Sequence, residues 1–219
     1  MNFIDGIFQK KCENYIKKKI KSSSVKLTNS CTSALEIAMI LINLKKGDEV
    51  IIPSYTFTST ANCIIMRGAK PVFVDINFSN LSMNVEEILK KISKKTLAVF
   101  ITHAQGFNGL NNKLLQVLKK KKIHLIEDVS ESHGATFKGK RLGNYGLISN
   151  FSFYYAHHLT TIEGGMVCTN SKEIYEIVKI LRSHGMLREA NNKKFERKYK
   201  EDMPASEIVR WKNNGDLIK

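Results

Sequence analysis

Apolar positions along the chain follow two spacings in turn. Short runs of consecutive apolar residues, of strand length, alternate with longer stretches in which apolar residues return every three or four positions. The helical spacing predicts helices over 8–20 and 34–44, the second with Leu35, Ala38, Met39 and Ile42 on one face. Gly47-Asp48 then breaks the pattern, and residues 50–53 read as a short buried strand. The alternation continues with a helix over 58–66, a strand over 71–75, a helix over 84–92 and a strand over 97–101. A helix over 110–120 follows, then an apolar run at 123–126 that stops at Glu127-Asp128. Further on, 166–168 reads as a strand and 173–183 as a helix.

Strands separated by single helices imply an α/β fold, with a mostly parallel sheet and helices on both faces. Ligands of such sheets gather at the carboxyl ends of the strands. Asp128, Ser152 and the segment around Thr32 are therefore expected to converge. The periodic pattern covers 1–185, read as one large domain, and 186–219 reads as a polar tail with scattered anchors such as Trp211. No internal repeat and no Pro/Gly/Ser linker divides the chain.

At 219 residues, 42% hydrophobic and 25% charged, the composition is that of an ordinary globular domain. No run is long and apolar enough for a membrane span, and the polar, lysine-bearing start lacks a signal core. The formal charge of +15 raises the question of a nucleic-acid partner. Its lysines cluster at Lys17-Lys18-Lys19, at 119–122 and at Lys193-Lys194, mostly on expected helix ends, without any nucleic-acid-binding motif. A solvated basic surface is the simpler reading, and no nucleic-acid partner is expected. Such a field also favours a diphosphate-bearing substrate. Cys12, Cys31, Cys63 and Cys168 are too scattered for a zinc site or a disulfide framework. No metal is expected, and a reducing, cytoplasmic setting fits.

Three segments carry candidate chemistry. Thr28-Asn29-Ser30-Cys31-Thr32-Ser33 precedes a helix, where hydroxyls and free backbone N–H groups either cap the helix or hold an anion. Glu127-Asp128-Val129-Ser130-Glu131-Ser132-His133 follows a strand. Ser152-Phe153-Tyr154-Tyr155-Ala156-His157-His158-Leu159-Thr160-Thr161-Ile162-Glu163-Gly164-Gly165 contains paired imidazoles, which can carry protons near neutral pH.

Together with Gly47-Asp48-Glu49-Val50-Ile51-Ile52-Pro53-Ser54-Tyr55-Thr56-Phe57, these segments resemble the DegT/StrS sugar aminotransferases. That family comprises pyridoxal-phosphate (PLP) enzymes that modify nucleotide-linked sugars. The resemblance implies the large domain of PLP fold type I. It assigns Ser30, Cys31, Thr32 and Ser152 to the cofactor phosphate, although Cys31 stands where glycine is usual. It assigns Phe57 to stacking on the pyridine ring, whereas alone Phe57 would be read as a core residue. Asp128 is assigned to the pyridine nitrogen and Glu131, where glutamine is usual, to the phenolic oxygen. His133 is read as structural.

The family segment S-F-Y-P-T-K-N-L-T-x-G-E-G-G carries the lysine that holds PLP. Here His157 replaces it, Tyr155 replaces proline and Ile162 replaces glycine. The tandem His157-His158 is similar to the histidine-containing 3-dehydratases of NDP-4-keto-6-deoxyhexoses, which use pyridoxamine phosphate (PMP). In that branch the histidine is the catalytic acid/base. The resemblance thus implies 3-dehydration of such a sugar in surface-polysaccharide or deoxysugar assembly, with amino transfer from PMP, glutamate as donor, as the alternative. A third reading is an inactive member. The family is longer, with a C-terminal small domain and a dimer partner, so this chain is expected to be a shortened member or part of a split gene, and a homodimer.

Overall fold

A computed structural model describes residues 6–189. Its main elements are α1 (Ile7–Ile20), β1 (Ser24–Thr28), α2 (Cys31–Leu41), β2 (Glu49–Pro53), α3 (Thr58–Met66), β3 (Lys70–Val74) and α4 (Val85–Lys91). These are followed by β4 (Thr96–Thr102), α5 (Asn112–Lys121), β5 (His124–Asp128), the two-residue strands β6 (Thr136–Phe137) and β7 (Lys140–Arg141), β8 (Ile148–Ser152), β9 (Gly165–Thr169) and α6 (Lys172–Arg182).

The seven-stranded sheet runs β1-β9-β8-β5-β4-β2-β3. Strands β3, β2, β4, β5 and β8 pair in parallel, and β9 is antiparallel to both its neighbours β8 and β1. The α/β, mostly parallel architecture expected from the alternation is therefore observed. Strand residues alternate strictly between the two faces. Ile51, Val99, Ile101, Leu125, Phe151 and Cys168 face one core with Ile20 of α1, Ile88 of α4 and Leu114 and Leu118 of α5. Their neighbours Val50, Ile52, Ala98, Phe100, Ile126 and Val167 face the other core, with Leu35 and Met39 of α2, Ile64 of α3 and Val178 of α6. A strand buried on both faces tends to read as a near-continuous apolar run, which is why β2 and β4 were conspicuous in the sequence.

Local chemistry sets the helix ends. Ser30, Asn84, Asn111 and Ser171 each accept from the backbone N–H three residues on, at 3.1, 3.2, 2.8 and 3.3 Å. Lysines crowd the last turns of α1 (Lys17, Lys18, Lys19) and α5 (Lys119, Lys120, Lys121), where they complement the negative end of the helix dipole. Much of the chain's positive charge therefore serves helix termini. Lys193-Lys194, Trp211 and most of the tail lie outside the described residues, and the packed body runs on past Gly185 to Leu187, which is buried.

Besides the short β6 and β7, two strands of the large sheet were not anticipated. β1 reads Ser-Val-Lys-Leu-Thr and β8 reads Ile-Ser-Asn-Phe-Ser, so neither shows an apolar run. All five β8 residues are nevertheless buried. Ser149 achieves this by donating to the Gly143 carbonyl at 2.7 Å. The second expected helix also begins at Cys31 rather than 34, because Ser30 caps it.

A buried charge node ties the loops at the end of the sheet together. His103 and Glu127 are both inaccessible, with Nε2 3.3 Å from Oε1. Gly109 N donates to His103 Nδ1 at 3.0 Å, which places the ring proton on Nε2, facing the carboxylate. Glu127 also accepts from the backbone N–H groups of Gly143, Tyr145 and Gly146.

Candidate active site

The parallel strands end together, and their carboxyl ends carry the candidate residues. The link between β1 and α2 brings Ser30, Cys31 and Thr32 to this end, while β5 ends at Asp128 and β8 at Ser152. Gly165 stands opposite Ser152 on β9 and packs directly on the α2 start. A Cβ on Gly165 would lie 2.3 Å from the Ser30 carbonyl carbon and 2.5 Å from Cys31 N. Glycine is thus required for the first turn of α2 to seat between Ser152 and β9. The amides of Cys31 and Thr32 lie in that turn, where a helix offers no carbonyl of its own to accept them.

Cys31 Sγ lies 3.5 Å from Ser130 Oγ, and Ser130 donates through Oγ (2.6 Å) and N (3.0 Å) to Asp128 Oδ1. The cradle and the carboxylate therefore form one unit. On the other side of Asp128, Thr102 is its register partner on β4, and Thr102 Oγ1 lies 3.1 Å from Thr56 Oγ1. Phe57 follows at the cap of α3 with 74% of its surface exposed. The core placement that its type alone suggests is therefore wrong: the chain leaves the carboxyl end of β2 and places Phe57 at the exposed cap of α3. Glu131 is exposed, and its Oε2 accepts from Gln105 N at 2.7 Å. Gln105 in turn donates to the Tyr55 hydroxyl at 3.2 Å.

Burial raises the pKa of Asp128, outweighing the Ser130 hydrogen bonds that lower it. The fold thus holds a carboxylate short of a cation. An acid whose folded pKa is raised destabilises the fold as pH rises through that value. Asp128→Asn in the chain free of ligand is accordingly expected to melt higher than wild type at pH near 7, with the difference closing as pH falls to the ordinary carboxylate range of about 4. Thermal melts at both ends of that range check it; an equal or lower melting point at neutral pH contradicts it. Burial, aided by Asp128, likewise pushes up the Cys31 thiol, which keeps it protonated and unreactive.

His157 stands in a loop closed on itself. Phe153 N donates to the Gly164 carbonyl at 3.0 Å and Thr161 N to the Phe153 carbonyl at 2.9 Å. Within it, His157 N donates to the Tyr154 carbonyl at 3.0 Å, and the His157 ring, half-buried, lies 6.3 Å from that of Tyr154. Ile162 adopts φ +70°, a left-handed conformation that a β-branched residue strongly disfavours, with its side chain 77% exposed. Ile162→Gly is expected to relieve about 1 kcal/mol of strain and raise the melting temperature by about 2–4 °C. A lower melting temperature would show that the Ile162 side chain contributes more than its backbone costs.

Sequence reasoning passed over His103, Glu127, Ser130, Thr102 and Gly165. The signal for Glu127 was there, a second carboxylate beside Asp128 on a buried strand. Alternation sends the two to opposite faces, one to the structural node and one to the site. Among the described residues, no group of three metal-ligating side chains comes together. No described helix is long and apolar enough to cross a membrane.

Residues 2–207 match the profile of the DegT/DnrJ/EryC1/StrS aminotransferase family. The chain belongs to this family. A GDP-perosamine synthase of Escherichia coli O157:H7 is 34% identical over 83% of the chain and 50% of its own length. A GDP-4-keto-6-deoxy-D-mannose 3-dehydratase of Escherichia coli O55:H7 is 32% identical over 85% of the chain and 50% of its own length. The solved Escherichia coli GDP-4-keto-6-deoxy-D-mannose-3-dehydratase with bound hydrated PLP superposes with a TM-score of 0.79 at 31% identity, over 84% of this chain and 49% of that one. The fold is thus that of the PLP fold-type I enzymes, and the chain spans about half the length of these relatives. The family modifies nucleotide sugars by amino transfer or 3-dehydration.

Proposed function

We propose that the chain provides the cofactor half of a PMP-dependent enzyme that removes the 3-hydroxyl of an NDP-4-keto-6-deoxyhexose, with His157 as its acid/base. The observation that carries this reading is the imidazole in the closed loop beside the cradle. No lysine occurs between Ser152 and Gly165. The residues present suit the cofactor. The α2 start and the Ser152 hydroxyl offer donors for a phosphate, Asp128 is a buried carboxylate that lacks a cation, and the exposed Phe57 ring offers a stacking face. Glu131, fixed by Gln105, would face the phenolic oxygen.

When bound, the cofactor supplies an amine to condense with the sugar ketone and a ring that accepts electrons. The chain does the rest. Asp128 would hold a proton on the ring nitrogen, Phe57 would offer its face to the ring, and the His157 imidazole would take the proton lost from the cofactor-linked carbon and give it to the departing hydroxyl, which leaves as water. With His157 in place of the lysine, no amine at that position competes with the bound sugar. Glutamate would restore the amine form, and a second copy of the chain is expected to complete the site. The reading places the protein in deoxysugar or surface-polysaccharide assembly in the cytoplasm.

Amino transfer to a keto sugar is the second reading, favoured by the 34% identity to a GDP-perosamine synthase. The linkage itself is tested by incubating the chain with PLP, reducing with borohydride and mapping the adducts. Wild type is expected to carry no stoichiometric adduct at the site, and His157→Lys to gain one in the 152–165 peptide. A stoichiometric, site-blocking adduct on any wild-type lysine contradicts the assignment.

A further inference from the structure

We propose that His133 is a positioning residue for the paired imidazoles: its ring seats His158 and so holds the loop that carries His157. This rests on the reading of His157 as the acid/base. His133 lies on the turn after β5, five positions from Asp128, yet its ring reaches across to the end of β8. Three rings pack on it, Phe151 at 5.3 Å, Phe153 at 5.5 Å and His158 at 4.9 Å between centroids, the last edge-on at 71°.

The ring donates to the Ser152 backbone carbonyl. Its Nε2 is buried without a partner, so the donor is Nδ1 and Nε2 presents a lone pair. Leaving such an acceptor unmet is costly in a folded interior. Of the three rings packed on it, only His158 carries an N–H to give. The exposed His158 side chain, with its ring edge-on to His133, is the group placed to turn such an N–H toward Nε2. One end of His133 is thereby fixed to Ser152 of the cradle and the other to the residue next to His157.

The electrostatics agree. Burial first, then the charges of His158 and His157, push the His133 pKa down to about 4. His133 therefore stays neutral near pH 7, as a fixed acceptor must. The charged and titratable groups on the adjoining segments are Arg141, whose Nη1 donates to the carbonyl of Gly134 next to His133, and on the loop Tyr154, Tyr155 and Glu163. None of them offers Nε2 a proton in the structure.

The test is imidazole ¹H–¹⁵N NMR of the 219-residue chain across pH, on wild type, His133→Phe and His133→Asn. Phenylalanine keeps the stacking and removes both nitrogens. Asparagine keeps a donor for Ser152 but has no acceptor at the Nε2 position, and it serves if the phenylalanine variant fails to fold. In wild type, His133 is expected as a neutral Nδ1–H tautomer. His158 is expected to bind its proton about two- to tenfold more tightly than in either variant, the net worth of one hydrogen bond, with the His157 resonances shifting alongside. Unchanged His157 and His158 titrations in both variants overturn the proposal. Cofactor uptake is followed separately by absorbance. A chain that shows the His158 shift but binds no cofactor supports the role of His133 and refutes the functional reading.

Discussion

Replacing His157 with asparagine is expected to lower turnover by about 100- to 10,000-fold, the usual worth of a positioned acid/base group. On the proposed reading the loss should fall on kcat, since the start of α2, the Asp128 carboxylate and the Phe57 ring remain in place. The fold should be indifferent. The His157 ring is half-buried, and its backbone hydrogen bond to Tyr154 survives the change. Stability should move by no more than about 0.5 kcal/mol, as for surface substitutions generally. Kinetics and thermal melts on the same preparation separate the two effects. A drop of less than tenfold, or a loss of activity matched by a collapse in melting temperature, contradicts the assignment.

The largest effect on stability is expected at Glu127. Its carboxylate receives His103 Nε2 and the backbone N–H groups of Gly143, Tyr145 and Gly146, and both side chains of the pair are wholly buried. Glu127→Ala leaves four donors without an acceptor and opens a void. Breaking such a buried pair costs about 3–5 kcal/mol. Glu127→Gln fares little better, because its NH₂ must face a backbone N–H. The same node anchors the loop before β8. Denaturant titration of both variants measures the loss; a cost under about 1 kcal/mol would mean that water takes over the four donors.

These two positions also mark how far the sequence could be read. The sheet core was legible because β2 and β4 are apolar at successive positions, a pattern a two-sided buried strand imposes. β8 was not, because Ser149 and Asn150 are polar and yet inaccessible. Ser149 is satisfied by a carbonyl six residues away, and nothing in a local pattern announces that contact. Asn150 carries two buried amide atoms with no partner, and we have no physical account of why an amide is kept there.

The start of α2 was legible from its hydroxyls before a helix, and the capping meaning of that pattern is observed. Ser30 caps α2, and the turn it caps lies at the strand ends. Phe57 was misjudged by type, since aromatic residues are usually inside. Only its backbone position, at the cap of α3, leaves the ring exposed. The role of Gly165 lay beyond the sequence as well, because the Ser30–Cys31 peptide that excludes a side chain there belongs to a segment 134 residues away.

The most direct test of the central claim, an imidazole in place of the lysine, is the mass of the nucleotide sugar after incubation of the chain with PMP and an NDP-4-keto-6-deoxyhexose. The account predicts a sugar that has lost its 3-hydroxyl. An amino sugar that retains that hydroxyl would contradict it.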